Sequence, residues 1–546
     1  MTARMFISAA LLSLILAVSL PGYLYISNAE SIDLPAANAL VLAFVGFLAC
    51  FALFTAIGFV LRREWYATAL CAVSIFLLIK LYLLPSDVPI LDGEAPFAAW
   101  NSTAGLISIA SLLLIPIAYF LARRMRASAI AFLALFAVAM AAQPVFTAQK
   151  PYDIRAFSGA ENSAFEFSSG KNVIIVLLDA TMGDMFAQTI ASRSDIRDEL
   201  TGFTFFPNTV SSAPTTLLNM HSIVSGRFYE GGSIRDHYIR AADDGVFSDA
   251  RAAGYRSFHG GFTPFKCAAD VCAQMDGMIG TNPLQSSISQ YIQLIEYSTL
   301  RVVPTAIQPW LYNGGSGRFA SVSGEPVSTV DKSIAMMRSG AEGLKATDGA
   351  PKFSFLHQFI SHPPISVDAA CRPVTSDKVT REAYRQQTEC NLSLTANLLA
   401  SLKRRGLYDE ATIVLVADHG FVTEDDATPD VVFDRVRKVS GASQRFNPLF
   451  AVKPANAVGP LNINYAPASN SDLRATLCAL VFSCQAPGAN VFELSNAPRE
   501  RRFLQFGFNM SQLLSWDELP SRGSSLHVIS GGVEELPSTL SRPIAR

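Results

Sequence analysis

Three short apolar runs in this chain each end in a residue able to bind a metal or move a proton. NVIIVLL runs into Asp179, FSFLHQFI (353–360) into Ser361 and His362, and TIVLV (412–416) into Asp418 and His419. Asp179, Asp418 and His419 offer oxygen and nitrogen donors of the kind that hold Zn²⁺ or Mn²⁺, with one position left for a nucleophile or substrate. The stretch 210–226, VSSAPTTLLNMHSIVSG, supplies hydroxyls: Thr215 and Thr216 follow Pro214 where a helical pattern begins. A hydroxyl beside a bound cation loses its proton more readily and can attack phosphorus in line. Taken singly, Asp179 can be the cap of the helix that follows it, and either threonine a plain N-cap.

The elements that must position these groups follow from the pattern. Unbroken apolar runs this short, rich in Val, Ile and Leu, predict strands buried on both faces of a parallel sheet. Ligands of open α/β sheets bind at the carboxyl ends of such strands. Residues 245–253 and 382–405 have helical patterns, stopped by Gly254 and Gly406. The expected fold class is α/β with a mostly parallel central sheet, its site at one edge of that sheet.

Ahead of it lies a different composition. Half of the 546 residues are hydrophobic and only 16% are charged. Five apolar segments, 5–26, 36–61, 65–84, 102–122 and 128–146, suit bilayer-spanning helices. Arg4, Arg62, Arg63, Arg123, Arg124 and Arg126 fall at one set of flanks; Glu30, Asp33, Asp87, Asp92 and Glu94 fall at the other. The positive-inside rule then makes the N-terminus cytoplasmic and everything after the fifth span extracytoplasmic. A cleaved signal peptide at the first span would break that alternation of charge. Lys80, near the end of the third span, reads as a snorkelling lysine. The expected domains are 1–150, a five-span bundle; 151–170, an interfacial linker; and 171–546, the outward α/β domain. A net charge of −2, with no basic cluster outside the span flanks, argues against a nucleic-acid partner.

Eight cysteines occur, two of them, Cys50 and Cys71, within spans. The other six lie in the outward domain, and six cysteines allow 15 pairings. Chain order and short spacing favour Cys267–Cys272, Cys371–Cys390 and Cys478–Cys484 over a zinc cluster, since no CxxC pair is present.

Together these residues resemble the membrane-anchored branch of the alkaline phosphatase and sulfatase superfamily, which includes the lipid A phosphoethanolamine transferases and the lipoteichoic acid synthases. NVIIVLLDATMGDMF is similar to that family's first metal-ligand strand, with Asp179 at the place of its carboxylate. ADHG at 417–420 resembles its SDHG, which implies Asp418 and His419 as metal ligands. FLHQFISHPP at 355–364 resembles the segment whose histidine meets the substrate phosphate, here His362. Counting back ten from Gly226 by the family's spacing reaches Thr216, which implies Thr216, rather than Thr215, as nucleophile and metal ligand. The run lacks the Pro and Arg that formylglycine sulfatases need after the modified residue. The family's further histidine after SDHG is absent too, and Arg445 or Asn447 in QRFNPLFAVKP stands near its place as a substrate contact. His221, His357 and Asp184 read as helix and core residues, and His237 and His259 have no motif.

The resemblance implies one divalent metal ion, Zn²⁺ ahead of Mn²⁺, in an integral protein of a bacterial plasma (inner) membrane with a periplasmic catalytic domain. It implies transfer of a phosphoethanolamine or phosphoglycerol head group from a phospholipid donor to a surface glycan or lipid acceptor, through a phosphothreonine. The alternatives are a phosphodiesterase or phosphatase that uses water as acceptor, and a non-enzymatic lipid-binding relative. The full set Asp179, Thr216, Asp418 and His419 weighs against the last.

Overall fold

The computed structural model describes residues 3–27, 34, 36–61, 64–86, 88, 103–147, 165–232, 241, 244–261, 272–274, 283–313, 317–320, 329–374, 376, 378–425, 431–433, 436–437, 439, 441–506, 524–533 and 536. The chain forms two compact units, Met1–Ile154 with Gly280–Ser328, and Arg155–Ile279 with Thr329–Arg546.

The first unit is helical. Ala3–Ile26, Ala36–Leu61 and Glu64–Tyr82 are long and apolar enough to cross a membrane. Leu40, Phe44, Leu53 and Phe59 lie exposed along Ala36–Leu61, an apolar surface that suits lipid rather than water. Helical residues continue from Thr103 to Arg124, with a tighter turn at Ser111–Leu113, and from Ala127 to Thr147. By length and composition three of the five expected spans stand among the described residues. Lys80 is 2% exposed, so within this unit it is packed rather than extended outward.

The unit also takes in residues 280–328, which the sequence reading had assigned to the outward domain. The helix Pro283–Thr299 explains this: Tyr291 and Leu294 are buried with Leu34 and Ala39 in one apolar cluster. Tyr291 donates its hydroxyl to the carbonyl of Ala17, and Asn38 Nδ2 donates to Ser287 Oγ at 3.0 Å.

The second unit is built on one sheet, whose elements are labelled in chain order. Its strands are β1 (Asn172–Leu178), β2 (Thr204–Phe205), β3 (Arg256–Gly261), β4 (Cys272–Gln274), β5 (Lys352–Gln358), β6 (Thr412–Val416), β7 (Phe450–Lys453) and β8 (Asn462–Ile463). They lie in the order β8-β2-β7-β6-β1-β5-β3-β4. The contacts β1–β5, β1–β6, β3–β5 and β3–β4 are parallel, while β7 runs antiparallel to β6 and β2. The mostly parallel sheet expected from the three apolar runs is present, with those runs as its three adjacent central strands.

Every residue of β1, β5 and β6 is buried, so both faces are covered. Alternation splits the side chains between two cores. Ile174, Val176, Leu178, Leu356, Ile413 and Leu415 pack under α1 (Gly183–Ser192), α4 (Thr329–Gly343) and α5 (Arg381–Arg404). Val173, Ile175, Leu177, Phe353, Phe355, Val414 and Val416 pack under α2 (Thr216–Ser225) and α3 (Val246–Ala252). Disulfides join Cys371 to Cys390 and Cys478 to Cys484, as the spacing suggested; the pairing proposed for Cys267 and Cys272 lies outside the described side chains.

Candidate active site

The period of two carries straight from the core to the site. Asp179 follows Leu177 on the α2 side of β1, Asp418 follows Val416 on the same side of β6, and His357 follows Phe355 on β5. The chain continues the ladder one residue beyond β1, with Asp179 N donating to Gln358 O at 2.9 Å. It then turns sharply at Ala180, whose φ of 57° is a left-handed value that costs a non-glycine residue energy. The turn is held from both sides: Ala180 N donates to Asp418 Oδ1 at 3.1 Å, and the buried Tyr384 hydroxyl on α5 donates to Ala180 O.

α2 brings the hydroxyl. Thr215 is its N-cap residue in extended geometry, and Thr216 is the first helical residue. Asn219 grips the entry loop, accepting from Ala213 N at 3.0 Å and donating to Thr215 O at 3.0 Å. The helix stops at Gly226, whose φ of 72° suits glycine. Thr216 Oγ1 lies 3.3 Å from Asp179 Oδ2, to which it donates, and 3.3 Å from His419 Nε2. Thr215 Oγ1 is buried with no hydrogen-bond partner among the described residues.

Asp179, Asp418 and His419 are buried and offer ligand atoms within 4.8 Å of one another. His419 Nδ1 lies 2.7 Å from Gly420 O and must donate to it. In the neutral ring Nε2 then carries a bare lone pair, directed toward the space the two carboxylates share. It is 3.4 Å from Asp418 Oδ2. Neither Asp179 Oδ1 nor Asp418 Oδ2 accepts a hydrogen bond among the described residues. Converging lone pairs on buried groups repel one another and are costly without a cation. This donor set therefore fits a divalent ion. Burial works against charge on Asp179, but nearby His362 and the hydrogen bond with His357 outweigh it and hold the carboxyl below the usual carboxylate range. Asp249, Cys478 and Cys484 also lie close together. The cysteines are joined in a disulfide and Asp249 takes Arg474 Nε at 2.7 Å, so that group is structural.

The other expected site residues differ in placement. His362 donates Nδ1 to Pro363 O at 2.6 Å and brings Nε2 to 4.0 Å from Asp179 Oδ1, at the margin of the cluster. Asn447 turns away from it: its amide donates to Pro207 O at 3.0 Å and Thr209 O at 2.9 Å. Arg445 Nη1 donates to Pro214 O at 3.1 Å and its guanidinium lies 5.0 Å from the Phe421 ring centre. These bonds tie both side chains to the loops before and beside α2. Asp184 sits in the first turn of α1 and pairs with Arg381 at 2.5 Å. His221 is buried on α2, and His259 stacks on Phe355.

Two further residues reach the site: His357, which the sequence reads as core, and Asn470, which it does not single out. His357 Nε2 lies 3.0 Å from Asp179 Oδ2, and Asn470 Nδ2 donates to Asp418 O at 2.6 Å. His357 could have been found by parity, being two residues beyond Phe355 and level with Leu177. No sequence signal marks Asn470.

Residues 171–481 match the family described as Sulfatase. The match spans more than half of the chain, and the protein belongs to that family. No curated protein matches the sequence. Among solved structures, the phosphonate monoester hydrolase SpPMH from Silicibacter pomeroyi is 13% identical over 66% of this chain and 85% of its own, with a TM-score of 0.36. The lipoteichoic acid synthase LtaP from Listeria monocytogenes is 12% identical over 62% of this chain and 79% of its own, TM-score 0.34. The C-terminal periplasmic domain of EcEptC from Escherichia coli is 11% identical over 58% of this chain and 85% of its own, TM-score 0.31. Family membership rests on the sulfatase match and not on these distant likenesses.

Proposed function

We propose that the protein is a membrane metalloenzyme that moves a phospho-alcohol head group, phosphoethanolamine or phosphoglycerol, from a phospholipid to a hydroxyl of a cell-surface glycan or lipid. The observation that carries this reading is the Thr216 hydroxyl 3.3 Å from both Asp179 Oδ2 and His419 Nε2, in a chain that also holds bilayer-length apolar helices. Asp179, Asp418 and His419 would hold the cation, zinc by preference for this mixed oxygen and nitrogen set. When bound, it supplies Lewis-acid stabilisation of negative charge on hydroxyl and phosphoryl oxygens.

The chain's own residues do the rest. Thr216 Oγ1 attacks phosphorus, and the bond from phosphorus to the diacylglycerol oxygen breaks. The proton lost by Thr216 is matched by the one the departing alcohol gains. The acceptor hydroxyl then attacks the same phosphorus, releases Thr216 and gives up its own proton. His362, at the rim, meets the phosphate. Asp179 orients the threonine through the hydrogen bond it accepts. Five crossings, with a cytoplasmic N-terminus and the α/β unit outside, put this chemistry on the side where surface glycans lie.

Purified protein given head-group-labelled phospholipid, with and without candidate acceptors, tests the reading. Label on an acceptor supports transfer. Label released into water only would make the protein a hydrolase, and no turnover in the presence of divalent metal would remove the enzymatic reading.

A further inference from the structure

We propose that His357 is a positioning residue that fixes the Asp179 carboxylate with one oxygen presented to the cation. The inference rests on the cation reading above and extends it to a residue that does not itself reach the ion. His357 Nε2 lies 3.0 Å from Asp179 Oδ2, and both side chains are wholly buried. An ionised carboxylate has no proton to give, so the ring nitrogen is the donor. Asp179 Oδ2 is thereby committed, accepting from His357 and from Thr216 at 3.3 Å. Oδ1 remains the oxygen without a hydrogen bond among the described residues, and that is the atom left for the ion.

His357 is outside the group whose ligand atoms lie within 4.8 Å of one another. It stands one atom further back, behind Asp179. Partners of this kind fix the orientation and charge of ligands, and removing them typically weakens metal binding about 10–100-fold.

The fold makes the donor rigid. β5 is central, with β1 on one side and β3 on the other, and His357 pairs with Leu177 and Gly261. Gly261 has a φ of +92°, and a Cβ there would lie 1.9 Å from His357 O. A glycine is therefore required for β3 to close on this residue. The ring packs against Phe359, centre to centre 5.1 Å, which limits its rotation. Without the donor, the buried Asp179 carboxylate would be free to turn, and Oδ1 would no longer be held toward the ion's site.

The test compares the full-length protein in detergent with His357→Leu, His357→Gln and His357→Asn, after chelation and titration with Zn²⁺ against a fluorescent chelator. Metal-free thermal unfolding shows that each is folded. Gln can place an N–H where Nε2 stands, whereas Asn is too short. The expected result is Zn²⁺ affinity about 10–100-fold weaker in the Leu and Asn variants, with most of it restored in Gln. The Co²⁺ visible spectrum should change in Leu and return toward wild type in Gln. Wild-type affinity in folded Leu or Asn variants, or a folded Gln variant as weak as Leu, would overturn the proposal while leaving the cation site standing. A wild-type protein that binds no divalent ion would overturn the cation reading itself, and this inference with it.

Discussion

At the scale of single residues, the site separates groups that hold charge from groups that meet substrate. Asp418 contributes a buried carboxylate whose Oδ1 is already used by Ala180 N and His419 N, at 3.1 and 2.9 Å. Replacing it with Asn removes the negative charge of the remaining oxygen without changing shape. Asp418→Asn is therefore expected to lose bound metal and activity together, as read by metal analysis of purified protein beside the turnover assay. His362 lies 4.0 Å from Asp179 and takes no place among the mutually close ligand atoms. His362→Ala should keep most of its metal and lose turnover; equal loss of both would move His362 into the ion's coordination. Most of these residues were legible because strand ends announce themselves. Asp179 and Asp418-His419 each close an apolar run, and Thr216 was separated from Thr215 by its spacing to Gly226. His357 reads as core because it lies inside its run, an imidazole among phenylalanines. Which way the Asn447 amide points was not legible, because proximity in sequence to a motif does not fix a side chain's direction.

At the scale of elements, the sheet was legible and the elements wrapped around it less so. Buried parallel strands carry a dense signal in few residues. The helix Pro283–Thr299 carries a sparser one, and nothing in its stripe says which unit it joins. Two buried lysines mark the ends of strands away from the site. Lys453, on β7 opposite Ile413, donates to the carbonyls of Tyr408, Asp409 and Ala411 at 3.0 to 3.1 Å, with Pro454 O a further 3.3 Å contact. Lys453→Met takes the donor from that ring of carbonyls and should cost about 1–3 kcal/mol, read by thermal or denaturant unfolding, with turnover per folded molecule unchanged. Lys352 begins β5, opposite Asn172, with Nζ 3.9 Å from the Phe258 ring centre. Burial pulls it down to about 7. An unfolded chain, with the lysine near its ordinary value, binds more protons between about pH 7 and 10, so this group adds stability as pH rises through that window. Lys352→Met should flatten that part of the stability–pH curve. A curve of unchanged slope would show that Lys352 stays charged in the folded protein.

At the scale of the whole molecule, the chain joins apolar helices to a sulfatase-family α/β unit. Composition made that division legible, because the N-terminal apolar runs reach bilayer length whereas those of the α/β unit are short and separated by polar and charged residues. The insertion of residues 280–328 into the helical unit was hidden, since no unbroken apolar run of bilayer length marks it in the sequence. The orientation is the prediction that belongs here. An alkaline phosphatase reporter fused after residue 170 should be active, because the arginine-bearing flanks stay in the cytoplasm. An inactive fusion, with a cytoplasmic reporter fluorescent at the same position, would reverse the topology.

The central claim is that Thr216 carries the head group in transit. The direct measurement is to incubate the protein with phospholipid, quench, digest and locate the adduct by mass spectrometry. The account predicts a phospho-alcohol ester on Thr216, absent from Thr216→Ala, whose turnover should fall by about a thousandfold or more, and present in Thr215→Ala. An adduct on Thr215, or undiminished turnover in a metal-loaded Thr216→Ala protein, would contradict it.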